Sequence, residues 1–301
     1  MNIINEKRVV YLYEAVTQGT VRAAADKLNI SASAVSRQIS LLEKELSVTL
    51  IERHRKGVTP TEAGDVVLMH YRNMIANEED CLSKLGALQS LHTGHVSLAI
   101  GEGFVDEMMS GPLAEFHQKH PDLTVSVSVD GTNEIIRKVE FDEAHLGILF
   151  HPTNSTGIRS HVISKQAICA IVHPDHVLAG FKGPVEVEQL LAYPLALQEK
   201  QFGVRQLLAM AEFQEGVRFA PRVTTNSIAA LKQFALSNSG VTFLPAFVVA
   251  QEIREQKLCA VDINHAVLTC GEIHLITRIG RQLAAGPLHL LQYLNSWMRS
   301  L

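Results

Sequence analysis

Short and forked hydrogen-bonding side chains are concentrated between Thr20 and Gly64. Two stretches of helically spaced apolar residues are separated there by Asn29-Ile30-Ser31, and the polar face of the second stretch combines serines with Arg37. Hydroxyl and guanidinium groups on one helix face suit the base edges of the DNA major groove. The pattern therefore predicts a helix-turn-helix whose second helix reads DNA. The predicted DNA-contacting residues are Arg22, Ser31, Ala32, Ser33, Ser36, Arg37, Arg53, Arg55 and Lys56.

A basic turn follows the second of these helices. Short β-branched runs on either side of His54-Arg55-Lys56-Gly57 predict a β-hairpin wing, whose cations together with Arg53 suit phosphates or a minor groove. Thr20 and Ser31 stand directly before the two helices, where such residues are typical N-caps. The alternatives are an ordinary helical hairpin with a solvated polar face and, for each cation singly, a solvated surface turn.

Basic charge is concentrated at one end of the chain. The net charge of the 301 residues is −4, but residues 1–61 hold nine Lys or Arg residues against six Asp or Glu residues, an excess of three positive charges. A basic N-terminal module suits contact with phosphates. Because this excess is modest, tight binding would need two modules acting together, which predicts a dimer or a larger homo-oligomer.

The segment AAADKLNISASAVSRQISLLEKELSVTLIER, followed by GVTPTEAG, resembles the LysR-type transcriptional regulators of bacteria. The resemblance implies a winged helix-turn-helix in residues 1–60, a long linker helix in residues 61–92, and a two-lobed α/β effector-binding domain in residues 93–301 that is similar to periplasmic binding proteins. It also implies an effector that is bound but not transformed. Many relatives carry glutamine where this chain has Ala32. Alanine can contact a thymine methyl but cannot bond adenine through two hydrogen bonds, so the base read there is predicted to differ.

The predicted linker helix starts at Thr61-Glu62 and meets no helix breaker before Gly86. Its apolar residues, with Glu78 as the one polar member of the series, recur in alternating steps of four and three, which is the spacing of a coiled-coil seam. We expect this seam to pair two subunits; packing of the helix on its own domain is the alternative. The predicted dimerisation residues are Val67, Tyr71, Met74, Cys81, Leu85 and Leu88.

Beyond residue 93, strand and helix patterns alternate, which predicts α/β units with mostly parallel sheets. The predicted strands are 96–100, 123–129, 145–150, 167–172, 195–197, 241–244 and 271–277, and the predicted helices include 104–120 and 204–215. This length suits two lobes. We place lobe I at 93–162 and 267–301 and lobe II at 163–266, with the chain crossing near Ser160–Ile163 and His265–Leu268.

A ligand is expected at the carboxyl ends of these strands, between the two lobes. Relatives often carry Ser or Thr in the turn after the first strand, whereas this chain has Gly103 and Phe104. Three phenylalanines near the cleft suggest an organic acid with an aromatic or otherwise apolar body. For each phenylalanine, core packing is the alternative, and for Arg205 a surface role. The predicted effector-binding residues are Gly101, Glu102, Gly103, Phe104, Thr132, Phe150, Gln198, Phe202, Gly203, Arg205, Asn226 and Ser227.

Several other classes of protein are disfavoured by the sequence. The 14 histidines form no HExxH pair, no GxSxG occurs, and GEGF lacks the remainder of a phosphate loop. No apolar run reaches about 18 residues, and the N-terminus has no signal-peptide core, so a cytoplasmic protein is expected. The four scattered cysteines are expected to be free thiols.

We therefore expect no catalytic activity, metal or cofactor. The expected partners are an operator in double-stranded DNA, a small-molecule effector and further copies of the chain, with RNA polymerase as a candidate and no membrane. Two alternatives remain open: a small-molecule carrier or enzyme with an incidental helical head, and an architectural DNA-binding protein without effector control. Sequence preference in DNA binding distinguishes among the three.

Overall fold

The computed structural model describes residues 4–55, 57–88, 94–152 and 155–299. The chain forms two compact units: an N-terminal unit, Met1–Leu85 with Gly280–Ala284, and a C-terminal unit, Gly86–Ile279 with Ala285–Leu301. No helix among the described residues combines the length and the apolar character needed to cross a membrane.

Three helices and a hairpin form the core of the N-terminal unit. The elements are α1 Glu6–Thr17, α2 Val21–Leu28, α3 Ala32–Leu46, β1 Ile51–His54, β2 Gly57–Pro60 and α4 Glu62–Leu88. Thr20 caps α2 by accepting a hydrogen bond from Ala23 N at 3.0 Å, and Ser31 caps α3 by accepting from Ala34 N at 3.2 Å. Asn29 ends α2 in the left-handed conformation. The predicted helix-turn-helix and its two N-caps are therefore confirmed.

The hairpin is held against the helices by close backbone contacts. Strands β1 and β2 pair in antiparallel fashion, with Arg53 opposite Val58 and His54 opposite Gly57. Val58 N donates to Gly19 O at 2.8 Å. Gly57 has a φ of +142°, and a Cβ at this position would overlap Gly19 O, so glycine is required here on both counts. The predicted wing is present.

Two five-stranded sheets form the C-terminal unit. Its first elements are β3 Gly94–Ile100, α5 Val105–Ser110, α6 Pro112–Lys119, β4 Leu123–Val129, α7 Thr132–Glu140, β5 Leu146–Phe150 and β6 Ile158–Lys165. The next are β7 Ile168–Val172, α8 Val187–Leu190, β8 Leu195–Gln198, α9 Gly203–Glu215, β9 Val223–Thr225, α10 Ile228–Leu236 and β10 Val241–Pro245. The last are α11 Ala250–Arg254, β11 Cys259–Asp262, α12 Ala266–Thr269, β12 Glu272–Arg278 and α13 Ala285–Met298.

Each sheet forms one lobe, as predicted. Lobe I has the strand order β4-β3-β5-β12-β6, and lobe II has the order β11-β7-β10-β8-β9. Each sheet combines two parallel pairings with two antiparallel ones, so the prediction of mostly parallel sheets was wrong. The antiparallel strands arise where the chain enters lobe II through β7 and returns to lobe I through β12.

The lobe boundary lies a few residues beyond the predicted crossing. Strand β6 pairs with β12 as far as Lys165, opposite Glu272, and therefore stays in the sheet of lobe I. The chain changes lobe at Gln166 and returns just before Glu272. The predicted helix 104–120 is divided at Gly111-Pro112 into α5 and α6. Proline has no N–H to donate to the preceding turn, so α5 ends before Pro112 and α6 begins with it.

Candidate functional site

The N-terminal half of α3, with its N-cap Ser31, presents an open polar surface. Ser31, Ala32, Ser33 and Arg37 are all exposed, whereas the opposite face of α3 buries Val35, Ile39 and Leu42. Ser31 Oγ and Ser33 Oγ lie 3.0 Å apart. Because the first amides of a helix lack partners within the helix, this end of α3 attracts phosphates and other acceptors.

The predicted arginines divide into free and tethered groups. Among the described residues, Arg22, Arg37 and Arg55 are exposed and have no hydrogen-bond or ion-pair partner. Arg53 instead donates from Nη2 to Ser36 Oγ at 2.9 Å, which joins the wing to the reading helix. The last predicted contact, Lys56, lies outside the described residues.

The seam predicted on α4 is only partly available to another subunit. Val67 is buried in the N-terminal unit, and the ring of Tyr71 lies 5.3 Å from that of Tyr13 on α1. Met74 is half-buried, whereas Cys81 and Leu85 are exposed. Helix α4 includes Leu88, whose side chain lies outside the described part of the chain. The first two seam residues therefore pack on their own domain, which was the alternative interpretation.

The predicted cleft between the lobes exists and is nearly closed. Its cavity measures about 40 Å³, far less than the roughly 150 Å³ of a cavity that holds benzene. Nine of the predicted residues line it: Gly101, Glu102, Gly103, Phe104, Thr132, Phe150, Gln198, Phe202 and Gly203. The remaining lining residues are Asp130, Val204, Ile228, Leu244, Pro245, Phe247 and Val248.

Aromatic side chains give the cleft its apolar character. The ring of Phe104 stacks on that of Phe247, with centroids 5.3 Å apart and planes inclined by 24°. Phe104, Phe150 and Gln198 are buried. Phe247 follows β10, and the rule that ligands lie beyond strand ends would have identified it had it been applied to that strand.

Thr132 connects the two lobes across this cleft. Its hydroxyl donates to Phe150 O at 3.2 Å and accepts from Gly203 N, the first residue of α9, at 3.0 Å. A Cβ on Gly203 would overlap the carbonyl oxygen of Phe150, so only glycine allows α9 to approach lobe I this closely. The Thr132 hydroxyl is thus already used in holding the lobes together.

Glu102 makes a second connection between the lobes. It lies in the short 3-10 turn after β3, and its carboxylate accepts hydrogen bonds from Ser227 Oγ at 3.2 Å, Ile228 N at 2.6 Å and Ala229 N at 3.2 Å. Ser227 is the N-cap of α10. A carboxylate from lobe I therefore occupies the N-terminus of a lobe II helix.

Three predicted effector residues, Arg205, Asn226 and Ser227, do not line the cavity. Arg205 donates from Nη1 to Glu212 Oε2 at 2.8 Å, and Glu212 Oε1 also accepts from Phe219 N. This internal ion pair gives Arg205 a structural role and is a correction to the prediction. Asn226 is exposed and lies outside the lining.

The free cysteines differ in the expected reactivity of their thiols. Burial, reinforced by the Asp262 carboxylate 3.7 Å from Sγ, raises the pKa of the Cys169 thiol to about 11. Because the thiolate is the reactive form, Cys169 is expected to resist iodoacetamide at pH 8 while the exposed Cys81 and Cys270 react. Mass spectrometry of the labelled native protein measures this difference. Labelling of Cys169 as fast as the two exposed thiols would contradict it.

Comparisons with protein families match both units. Residues 7–65 match the model of the bacterial regulatory helix-turn-helix protein, lysR family, and residues 89–299 match that of the LysR substrate binding domain. The chain is similar to the HTH-type transcriptional regulator CysL of Bacillus subtilis, at 24% identity over 80% of this chain and 81% of the relative. It is also 24% identical to the RuBisCO operon transcriptional regulator of Allochromatium vinosum, over 85% of each chain.

Solved structures show the same fold. The regulatory domain of Synechocystis PCC6803 CcmR, solved in complex with 2-PG, has a TM-score of 0.61 at 22% identity and covers 69% of this chain and 99% of that domain. Full-length CbnR, solved with its target DNA, has a TM-score of 0.55 at 20% identity, with 98% of this chain and 100% of CbnR covered. The predicted fold class is confirmed.

Proposed function

Because the chain belongs to the LysR family of bacterial regulatory helix-turn-helix proteins, we propose that it reads its operator through the N-terminal half of α3 and senses an acidic effector in the cleft between its two lobes. Its activity is DNA-binding regulation of transcription that a small-molecule effector modulates. The observation that carries the assignment of the reading surface is the exposed face of α3, where Ser33 and Arg37 are open to solvent and Arg37 has no partner among the described residues.

We assign different roles to the two arginines of the reading helix and the wing. The Arg37 guanidinium lies on the exposed face of α3 with no partner among the described residues, so it is available for two hydrogen bonds to a base. The Arg53 guanidinium is tethered to Ser36 at the edge of the same surface, which suits it to a phosphate. Base contacts specify sequence, whereas phosphate contacts position the protein.

Arg37→Ala is expected to weaken operator binding by about 1–3 kcal/mol and to relax the preference at one base pair. Arg53→Ala is expected to weaken binding to all sequences alike and to reduce the salt slope by about one. Fluorescence anisotropy of the full chain, with a duplex selected from a random library and with a scrambled duplex at several salt concentrations, measures both effects.

Arg222→Ala is the matched control, since Arg222 is an exposed arginine of the C-terminal unit. It should change neither affinity nor salt slope. Equal loss on selected and scrambled DNA in Arg37→Ala would refute the base contact. Failure of the wild-type chain to select any sequence would favour an architectural DNA-binding protein, and failure to bind DNA would favour a carrier or an enzyme.

The effector is proposed to be bound without chemical change. The polar side chains that line the described cavity are those of Glu102, Asp130, Thr132 and Gln198. This set contains no nucleophile paired with a histidine base, as covalent catalysis generally requires. The apolar surface from Phe104, Phe202 and Phe247 suits an organic acid with an aromatic or aliphatic body.

We further propose that the chain acts as a dimer or tetramer. Leu82 and Leu85, on the last turns of α4, are 62% and 52% exposed, which leaves apolar surface for a second copy. Two modules on one operator would compensate for the modest basic excess of each. RNA polymerase is the partner through which a regulator of this kind would activate transcription, and the bacterial cytoplasm is where it would meet the operator.

A further inference from the structure

The N-terminus of α10 is an anion-binding position at the cleft, and it is already filled by this chain. A helix begins with amides that have no acceptor within the helix, and a negative charge is favourable beside them. The hydroxyl of Ser227 already accepts from Ala230 N at 3.3 Å. The two amides that precede Ala230, those of Ile228 and Ala229, donate to the carboxylate of Glu102. An effector carboxylate at this position would need the same amides.

None of the described residues that line the cleft is a cation that would compete with α10 for an effector carboxylate. The charged residues among those lining the cavity are Glu102 and Asp130, and Asp130 is paired with Lys138 Nζ at 2.6 Å. Arg205, the cation that the sequence suggested, is paired with Glu212 away from the lining. Helix N-termini are therefore the attractive positions for an acid in this lining, and that of α10 is the one that already holds a carboxylate.

The closed cleft supports the same interpretation. Lobe I caps two helices of lobe II, since Thr132 accepts from the first amide of α9 and Glu102 accepts from the first amides of α10. The remaining cavity of about 40 Å³ is too small for an acid of the size of benzoate, since a cavity that holds benzene measures roughly 150 Å³. An acid can enter only if the lobes separate, and separation breaks the hydrogen bonds of Glu102.

We propose that Glu102 is an internal ligand that holds the lobes closed in the absence of effector, and that an acidic effector acts by displacing its carboxylate from the N-terminus of α10. This inference rests on the proposed function, because it names the position that the effector carboxylate takes. Glu102 competes with the effector and thereby raises the concentration at which the chain responds. A ligand shifts the equilibrium between the two arrangements only through its different affinity for each of them.

Removal of the internal carboxylate should create a site for small carboxylates. Glu102→Ala in the full chain is expected to lower Tm by about 5 °C through loss of charge-assisted hydrogen bonds. Sodium acetate, against sodium chloride at equal ionic strength, should restore Tm in Glu102→Ala and leave the wild type unchanged. Asp122→Ala is the control, since Asp122 is an exposed carboxylate of lobe I without a partner among the described residues. The proposal would be overturned if acetate did not raise the Tm of Glu102→Ala, or if it raised the Tm of all three proteins equally.

Glu102→Gln provides a second test that does not depend on the alanine variant folding. The glutamine side chain fills the same space but carries no charge, so it should compete less well. Calorimetry with benzoate, a probe carboxylate with an aromatic body, should give an affinity at least about tenfold higher in Glu102→Gln than in the wild type, a difference of about 1.4 kcal/mol. Equal affinities, or no binding by either protein, would refute displacement.

Sequence-selective DNA binding by the wild type is measured separately. If it persists while the carboxylate tests fail, the internal-ligand proposal alone is wrong. If it is absent while acetate rescues Glu102→Ala, the proposed function fails and the internal ligand remains.

Discussion

Leu85→Asp is expected to dissociate the oligomer and to lower operator affinity by about 10²–10⁴-fold, the advantage that two linked modules gain over one. Leu85 is exposed near the end of α4, close to the equally apolar and exposed Leu82. A carboxylate buried there against a second copy would be unpaired, which is strongly unfavourable. Light scattering gives the mass of the particle, and anisotropy with the selected duplex gives the affinity.

Leu191→Asp is the matched control for this substitution. Leu191 is an exposed leucine of the C-terminal unit, so the same change in charge and size occurs outside the proposed interface. It should leave mass and affinity unchanged. An unchanged mass in Leu85→Asp would place the main interface elsewhere on the chain.

Arg278→Leu is expected to lower the free energy of unfolding by about 3–5 kcal/mol, because it leaves a buried carboxylate without its cation. Arg278 Nε donates to Asp142 Oδ1 at 2.9 Å, and the two side chains are only 1% and 8% exposed. The pair joins the end of β12 to the turn that follows α7. Urea unfolding followed by circular dichroism measures the change in the transition of the C-terminal unit.

The double variant Asp142→Ala/Arg278→Leu separates the pair from the packing around it. Removing both charges should recover part of the loss, since no unpaired charge then remains buried. A loss below about 1 kcal/mol in Arg278→Leu, the value typical of a surface ion pair, would show that Asp142 finds water or another partner.

Local interactions made much of the N-terminal unit predictable. Thr20 and Ser31 accept from amides three positions further along the chain, so the residue type and its place before an apolar helix predict the cap. The wing follows from β-branched runs on either side of a basic glycine turn. The exposed first turn of α3 follows from its helical period, which places Val35, Ile39 and Leu42 on the opposite face.

Apolar period alone did not show which surface a residue buries against. Val67 and Tyr71 fit a coiled-coil seam, but the structure packs them in their own unit. Apolar residues have nearly the same spacing in a coiled-coil helix and in an amphipathic helix that packs on its own domain, so only the tertiary contacts distinguish the two cases. Similarly, the strands β6, β9 and β11 were missed because they lie at sheet edges, where alternation is weak and pairing with a neighbour defines the strand.

The sequence by itself determined the winged helix-turn-helix, the exposed polar face of its second helix, the two lobes and most of the cavity lining, since caps, apolar period and strand ends are properties of neighbouring residues. The tertiary structure alone decided that the cleft is closed and that the anion-binding position at the N-terminus of α10 is filled. Glu102 and Ile228 are 126 positions apart, and no local pattern relates them. Their hydrogen bond exists only because folding brings the turn after β3 to the N-terminus of α10, where unpaired amides attract the nearest carboxylate.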